Sequence, residues 1–186
     1  MSREKIISVF GGSTPREGSP AYADAQRLGG WLAEAGFAVA TGGYTGTMEA
    51  ASRGAAEAGG HVIGVTCAHL ERHLGRLGAN RWVSEEIKYE TMRQRLNHLV
   101  EKCDASIALP GGIGTLSEVA LTWSLLQTGE ILRKPFVLVG DGWQAALTTF
   151  YRGADGYVPE ADWQLLEFAP DVQSAAHRVT QALMEN

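Results

Sequence analysis

Residues 109–118 read LPGGIGTLSE. The apolar run at residues 105–109 predicts a strand, three glycines interrupt it, and a helix-compatible stretch follows from Thr115. Backbone N–H groups at a glycine-lined helix start bind anions, phosphate above all. Glu118, in the first turn of that predicted helix, is unexpected because a carboxylate repels a phosphate bound beside it. The segment therefore predicts a phosphate site whose carboxylate has a separate chemical task.

Two earlier segments repeat this arrangement of strand, glycines and helix. Gly11-Gly12 follows an apolar run at residues 6–10, and Gly42-Gly43 follows one at residues 37–40. We call these the first and second glycine turns, and Gly111-Gly112 the third. The second and third turns resemble each other, since each leads into a helix with an early Glu. Because parallel strands end at one edge of a sheet, we expect the three turns to gather there.

Short apolar runs alternate with longer amphipathic stretches along the chain. The predicted strands are residues 6–10, 37–40, 61–65, 105–109, 135–139 and 163–168. The predicted helices are residues 22–35, 45–58, 85–102, 115–127, 143–151 and 172–184, and residues 67–82 are predicted to be a loop with some helix. This alternation predicts an α/β fold, a three-layer, doubly wound, mostly parallel sheet of the Rossmann-like kind, in a single domain over residues 1–186.

The composition excludes several classes of protein. A chain of 186 residues with 45% hydrophobic and 20% charged residues suits one folded domain. Its net charge of −5 and lack of a basic segment predict no nucleic-acid partner. The sequence has no targeting signal and no apolar run of bilayer-spanning length, so we expect no membrane partner and a cytoplasmic location. Cys67 and Cys103 lack metal or redox spacing, which predicts two reduced thiols.

Common nucleotide and hydrolase motifs fit the sequence poorly. A Walker loop would end in Gly-Lys-Ser/Thr, which is absent, and a dinucleotide fingerprint would have a glycine where Ser117 stands. Neither Ser13 nor Ser117 lies in a Gly-x-Ser-x-Gly elbow, so a serine hydrolase is not expected. No histidine pair has metal-ligand spacing with a third ligand, and we expect no metal and no cofactor. Thr115 is the candidate N-cap of the helix after the third turn.

A second informative segment, residues 89–97, reads YETMRQRLN. Arg93 and Arg95 are two residues apart and so point to different faces of the predicted helix. Met92, Leu96 and Leu99 mark an apolar stripe by their three- and four-residue spacing, and Arg95 lies beside it. Two interpretations stay open at this point. Arg95 is either a partly buried arginine that needs an anionic partner, or a member of a surface salt bridge, which the spacing alone favours.

Taken together, these segments resemble the LOG family, whose signature is PGGxGTxxE. Residues 110–118 match it at every fixed position, and the resemblance extends over about residues 5 to 150 through the first two glycine turns and residues 59–65. The family's characterised members are cytokinin riboside 5′-monophosphate phosphoribohydrolases. An older lysine decarboxylase label is rejected, because that reaction would need pyridoxal phosphate on a lysine and none lies in a glycine-rich cofactor context.

The resemblance implies that the chain hydrolyses the N-glycosidic bond of a nucleoside 5′-monophosphate, AMP or cytokinin-type, to free base and ribose 5-phosphate. Breaking that bond leaves positive charge on the ribose, which a carboxylate stabilises. The resemblance implies Glu118 and Arg95 as the catalytic pair and a homodimer with each site near the subunit interface. The residues expected to bind phosphate or nucleotide are Gly12, Ser13, Gly42, Gly43, Gly111, Gly112, Ile113, Gly114 and Thr115.

The family's other signature, Met-His-x-Arg-Lys, is only partly present. Met92 and Arg95 match, whereas Arg93 replaces the histidine and Leu96 replaces the lysine. The missing lysine removes a cation from near the substrate, which bears on cytokinin or AMP specificity more than on the fold. Two other functions stay open. One is a non-catalytic carrier of a phosphorylated cofactor such as the molybdenum cofactor, and the other is a nucleotide-sensing module that acts through a partner.

Overall fold

The structure of this protein, a computed structural model, describes residues 3–75, 78–152 and 157–185. Its strands are β1 Ile6–Phe10, β2 Ala38–Thr41, β3 Val62–Cys67, β4 Glu85–Tyr89, β5 Ala105–Ala108, β6 Phe136–Val139 and β7 Glu167–Ala169. Its helices are α1 Pro20–Glu34, α2 Thr47–Glu57, α3 Ala68–Leu74, α4 Met92–Glu101, α5 Ile113–Thr128, α6 Asp141–Arg152, α7 Glu160–Trp163 and α8 Val172–Met184.

The seven described strands form one sheet in the order β4-β3-β2-β1-β5-β6-β7, and each neighbouring pair is parallel. The predicted α/β, doubly wound, Rossmann-like fold is thereby confirmed, with a sheet that is parallel throughout these strands. The strand order reverses between β1 and β5. In such sheets ligands bind in the crevice beyond the carboxyl ends of the strands at the reversal. The fold therefore directs attention to the first and third glycine turns, which follow β1 and β5.

Helices cover both faces of the sheet. The core on one face contains residues of α1, α2 and α8, and the core on the other contains residues of α4, α5 and α6. The central strands β5 and β6 read ASIA and FVLV and are buried at every position, as expected for strands covered on both sides. None of the described helices is both long enough and apolar enough to cross a bilayer.

The prediction of one helix over residues 85–102 is wrong in its first third. The chain instead forms the edge strand β4, in which half-buried Ile87 and Tyr89 alternate with exposed charged residues. An edge strand pairs on one side only, so it carries as much charge as a helix surface and is easily mistaken for one. Thr91 and Gln94 then form a capping box that begins α4 at Met92.

Two other predicted segments differ in detail. Residues 163–168, predicted as one strand, contain the end of α7 and the start of β7, because Pro159 N-caps a one-turn helix at Glu160. Residues 67–82 contain α3, which Gly75 ends in a left-handed conformation with φ 61°. Residues 76 and 77 of that predicted loop lie outside the described residues.

Candidate functional site

The three glycine turns meet at the carboxyl edge of the sheet, as predicted. The Gly12 N–H donates to the carbonyl of Pro110 at 3.2 Å, and the Gly12 carbonyl accepts from the Thr47 N–H at 2.9 Å. A Cβ placed on Gly11 would lie 2.4 Å from Cγ2 of Thr47, closer than real Cβ atoms approach. The first turn therefore joins the other two through backbone contacts, and a glycine makes this close approach feasible.

A cleft of about 280 Å³ opens where the turns meet. Most of the predicted site residues line this cleft. The exceptions, which are outside its described lining, are Gly42, Gly43 and Gly111. The lining residues missing from the predicted site are Gly11 of the first glycine turn and four side chains: Tyr44, Met48, Leu70 and Met92. The cleft is lined by Gly11, Gly12, Ser13, Tyr44, Met48, Leu70, Met92, Arg95, Gly112, Ile113, Gly114, Thr115 and Glu118.

The missed residues differ in the sequence signals that point to them. Tyr44 and Met48 belong to the second glycine turn and the helix that follows it, and Met92 is a fixed position of the Met-His-x-Arg-Lys signature. Leu70 lies in α3, in a stretch whose sequence carries no clear pattern, and no signal points to it. Leu96, which replaces the family lysine, is half-buried against the core beneath α4 and lies outside the described cleft lining.

The N-terminus of α5 is open at the cleft. The helix begins at Ile113, Gly112 is its N-cap, and no side chain caps it. The prediction of Thr115 as N-cap is wrong, because the glycine N-cap starts the helix earlier and leaves Thr115 buried in the first turn. The first N–H groups of an α-helix have no acceptor within the helix. Those of α5, next to exposed Gly111 and Gly114, are therefore available to an anion.

Glu118 lies in the second turn of α5 rather than in the first, because the helix starts two residues earlier than predicted. Its side chain lines the cleft, yet the residue is only 7% exposed. Burial raises the pKa of the Glu118 carboxyl to about 7, although the Arg95 charge acts in the opposite direction. A carboxyl with such a pKa is ionised in about half of the molecules near neutral pH, which suits proton transfer.

Arg95 is buried beside Glu118, and the surface salt bridge that its spacing favoured is wrong. Helix α4 packs against β3, so this position points into the protein, where it is 5% exposed. Its Nε donates to the carbonyl of Val65 at 2.8 Å and its Nη2 to the carbonyl of Gly42 at 3.1 Å. Nη1 lies 3.9 Å from Oε1 of Glu118. Backbone carbonyls thus fix the guanidinium, and one edge of it faces the carboxylate.

The second glycine turn supports Arg95 from behind. A Cβ on Gly42 would lie 1.8 Å from Nη2 of Arg95, so the guanidinium occupies the space that a side chain would need. Gly43 has φ +76°, a left-handed conformation that favours glycine. The ring of Tyr44 lies 5.7 Å from Cζ of Arg95, within cation–π range. These glycines therefore hold the arginine that faces the cleft.

Among the described residues that line the cleft there is no cysteine and no cluster of metal-ligating side chains. Over the described ranges, no group of three or more His, Cys, Asp or Glu side chains is arranged to hold a metal ion. Cys67 and Cys103 are both buried and carry free thiols.

The chain matches the model of a known protein family over most of its length. The model of the SLOG cluster4 family matches residues 4–143. The chain belongs to this family. The predicted relationship to the LOG family is thereby confirmed.

Relatives of known name and solved structures are similar over nearly the whole chain. A probable cytokinin riboside 5′-monophosphate phosphoribohydrolase, LOGL9 of Oryza sativa subsp. japonica, is 34% identical over 97% of this chain and 80% of its own length. LOG7 of Arabidopsis thaliana, named a cytokinin riboside 5′-monophosphate phosphoribohydrolase, is 33% identical over 97% of this chain and 83% of its own length. The molybdenum cofactor carrier protein of Chlamydomonas reinhardtii has 28% identity and a TM-score of 0.73, with 98% of this chain and 99% of that one covered.

Proposed function

We propose that this protein hydrolyses the N-glycosidic bond of a nucleoside 5′-monophosphate, AMP or cytokinin-type, to free base and ribose 5-phosphate. The observation that carries this proposal is the buried pair of Arg95 and Glu118, which lines a cleft that also contains an uncapped helix N-terminus. The names of the plant relatives support the same reaction. We assign the whole chain to a single domain with one such site.

The 5′-phosphate binds at the start of α5 in this proposal. The backbone N–H groups there carry the positive end of the helix dipole, and no side chain competes for them. Gly12 and Ser13 line the same cleft and complete the phosphate end. Glu118 lies five residues beyond Ile113, about one and a half helical turns further along α5. That offset supports a role for the carboxylate beyond the phosphate, at the ribose.

Glu118 and Arg95 act on the bond to the base. When the bond between the ribose C1′ and the base nitrogen breaks, its electron pair leaves with the base and the ribose becomes positively charged. The ionised Glu118 carboxylate stabilises this charge and takes a proton from the attacking water. Arg95, held by main-chain carbonyls, keeps part of the carboxylate population ionised at neutral pH. The departing base takes up a proton at the nitrogen that was bonded to C1′, and Glu118 gives up the proton that it took from water, so that free base and ribose 5-phosphate are the two products.

The decisive experiment is a panel of nucleoside 5′-monophosphates incubated with the purified protein, with released base measured by chromatography. We expect base release from at least one member of the panel. The matching nucleoside without its phosphate should react far more slowly, because it lacks the group that binds at α5. Binding of every panel member without release of base would contradict the proposal.

A carrier of a phosphorylated cofactor is the second candidate. It is favoured by the structural similarity to the molybdenum cofactor carrier of Chlamydomonas reinhardtii and to the molybdenum cofactor binding protein of Rippkaea orientalis, with a TM-score of 0.75 and 26% identity over 98% of this chain and 99% of that one. A carrier needs the open helix N-terminus but no buried carboxylate of raised pKa. The chain has both, which favours the hydrolase.

A homodimer is part of this proposal. Ile113 and Leu116 at the start of α5 are 79% and 43% exposed, and Met92 beside the cleft is exposed as well. Exposed apolar residues around a cleft are typical of surfaces that a partner covers. We expect the wild type to sediment as a dimer and Leu116→Glu to sediment as a monomer. A monomeric wild type would refute this part.

The two free thiols support a reducing compartment, for which we propose the cytoplasm.

A further inference from the structure

The position of Arg95 depends on how firmly the second glycine turn is held. Arg95 donates two hydrogen bonds to backbone carbonyls, and the acceptor of the first is Val65 in strand β3. The acceptor of the second is Gly42, in the loop between β2 and α2. The Tyr44 ring, which also contacts the guanidinium, belongs to the same loop. A loop that supplies two of the contacts of a buried cation must itself be fixed.

Asn80 adds to this fixation from outside the cleft, beside Oγ1 of Thr41, which accepts from the Gly43 N–H at 3.1 Å, and the Tyr44 hydroxyl, which donates to the Cys67 carbonyl at 3.2 Å. Its N–H donates to the Gly43 carbonyl at 2.7 Å, and its side-chain Nδ2 donates to the carbonyls of Gly43 at 3.1 Å and Tyr44 at 3.0 Å. The side-chain Oδ1 accepts from the Trp82 N–H at 3.1 Å, which orients the amide. Asn80 therefore donates hydrogen bonds to two consecutive carbonyls, those of the residues immediately after Gly42.

We propose that Asn80 is a positioning residue that fixes residues 42–44 and thereby holds the Arg95 guanidinium beside Glu118. Asn80 is not among the described residues that line the cleft, so it acts on the reaction only through the turn. A carboxamide fits this task because it donates two hydrogen bonds without adding a charge near the ion pair. The kinetic part of the test rests on the proposed hydrolase function, whereas the positioning itself does not.

The consequence of losing Asn80 follows from the electrostatics of Glu118. Among the residues known to line the cleft, the charged or titratable side chains are Tyr44, Arg95 and Glu118. Burial raises the pKa of Glu118 and the Arg95 charge lowers it. Asn80→Ala removes the two hydrogen bonds of Nδ2 and leaves the backbone bond to Gly43, so the turn is held less firmly and the guanidinium that it contacts spends less time beside the carboxylate. The pKa of Glu118 should then rise further, and the ionised fraction at neutral pH should fall.

The test compares Asn80→Ala with the matched control Asn97→Ala, which removes an exposed asparagine from the helix that carries Arg95. We expect Asn80→Ala to lower kcat by roughly 10- to 100-fold, as small misplacements of a catalytic group do, with little change in KM. The acid limb of its pH profile should move to higher pH. Asn97→Ala should change neither quantity.

A second readout needs no substrate. The ¹³C carboxyl signal of Glu118, assigned by its absence in Glu118→Gln, reports the titration directly. We expect it to titrate at higher pH in Asn80→Ala than in the wild type. If Asn80→Ala does not fold, Asn80→Ser replaces it, because a serine hydroxyl is neutral and still accepts from the Trp82 N–H. A folded variant whose Glu118 titrates as in the wild type would overturn the proposal, even if the wild type hydrolysed no nucleotide.

Discussion

The second and third glycine turns are similar in sequence but present opposite backbone groups to the site. The second turn directs the carbonyl of Gly42 at the Arg95 cation, whereas the third leads into the N–H groups at the start of α5. The helix after the second turn is also less open, because its Thr47 N–H already donates to the carbonyl of Gly12. One local sequence pattern therefore serves a cation of the protein in one place and, in our proposal, an anionic ligand in the other.

The two glutamates that follow these turns differ in the same way. Glu49 lies in the first turn of α2 and is half-buried, whereas Glu118 lies in the second turn of α5 and is almost fully buried. A carboxylate in a first turn interacts favourably with the helix dipole. A buried carboxylate one turn deeper loses water and depends on Arg95. In our proposal, depth within the helix rather than the motif separates a carboxylate that stabilises the helix from one that takes part in the reaction.

The largest effect that this comparison predicts is on the reaction rate. Glu118→Gln keeps the shape of the side chain and removes its charge, so we expect kcat to fall by about 10²-fold or more. The matched variant Glu49→Gln makes the same change after the second turn and should stay close to the wild type. Steady-state release of base measures both. Similar losses in the two variants would mean that the third turn has no special role in the chemistry.

The next effect is on stability and depends on pH. The pKa of Glu118 is about 7 in the folded state against an ordinary value of 4.5. The folded state therefore binds the proton of the Glu118 carboxyl more tightly than the unfolded state does. This raises the free energy of unfolding by its full amount below pH 4.5, and the contribution is lost as the pH rises through 7. A glutamine mimics the protonated form at every pH. As the pH rises from 4.5 to above 7, the free energy of unfolding of Glu118→Gln should therefore increase relative to that of the wild type, by up to roughly 3 kcal/mol.

Urea denaturation at several pH values between 4.5 and 8 measures this gain. Glu49→Gln again sharpens the contrast, because it removes a carboxylate that the helix dipole stabilises and should lower the free energy of unfolding by about 0.3–1 kcal/mol at neutral pH. Opposite signs for the two variants at pH 8 are the expected result. A difference between Glu118→Gln and the wild type that stays constant with pH would mean that the folded state does not raise the Glu118 pKa.

Sequence patterns predicted what depends on neighbours along the chain. The alternation of most strands and helices and the meeting of the three turns follow from apolar runs and glycine positions, whereas β4 and the N-cap of α5 at Gly112 do not. The burial of Arg95 does not, because its acceptors at Val65 and Gly42 lie 30 and 53 residues away. Its spacing on α4 placed it at the margin of the apolar stripe, where exposure depends on what packs there. Only the family resemblance pointed to Arg95 as part of the site.

Two further features were hidden for other physical reasons. The edge strand β4 has solvent on one side, so its charged residues are as frequent as those of a surface helix. Asn80 contacts backbone carbonyls, and a backbone acceptor has no residue type that a sequence could reveal. Contacts between a side chain and a distant backbone carbonyl could therefore not be predicted from the sequence.

The last predictions distinguish a glycine that the fold requires, Gly42, from one that ligand binding requires, Gly114. An added methyl at Gly42 would meet Nη2 of Arg95 at 1.8 Å, whereas one at Gly114 has no neighbour within 4 Å. Gly42→Ala should therefore lower the free energy of unfolding by about 1–3 kcal/mol, as overpacking does. Gly114→Ala should raise it by up to about 1 kcal/mol, because alanine favours the helix. Its KM should nevertheless increase, since the new methyl lies where we place the phosphate. Urea denaturation measures the stability effects, and steady-state kinetics measures KM. An unchanged KM in Gly114→Ala would contradict the proposed phosphate site at the start of α5.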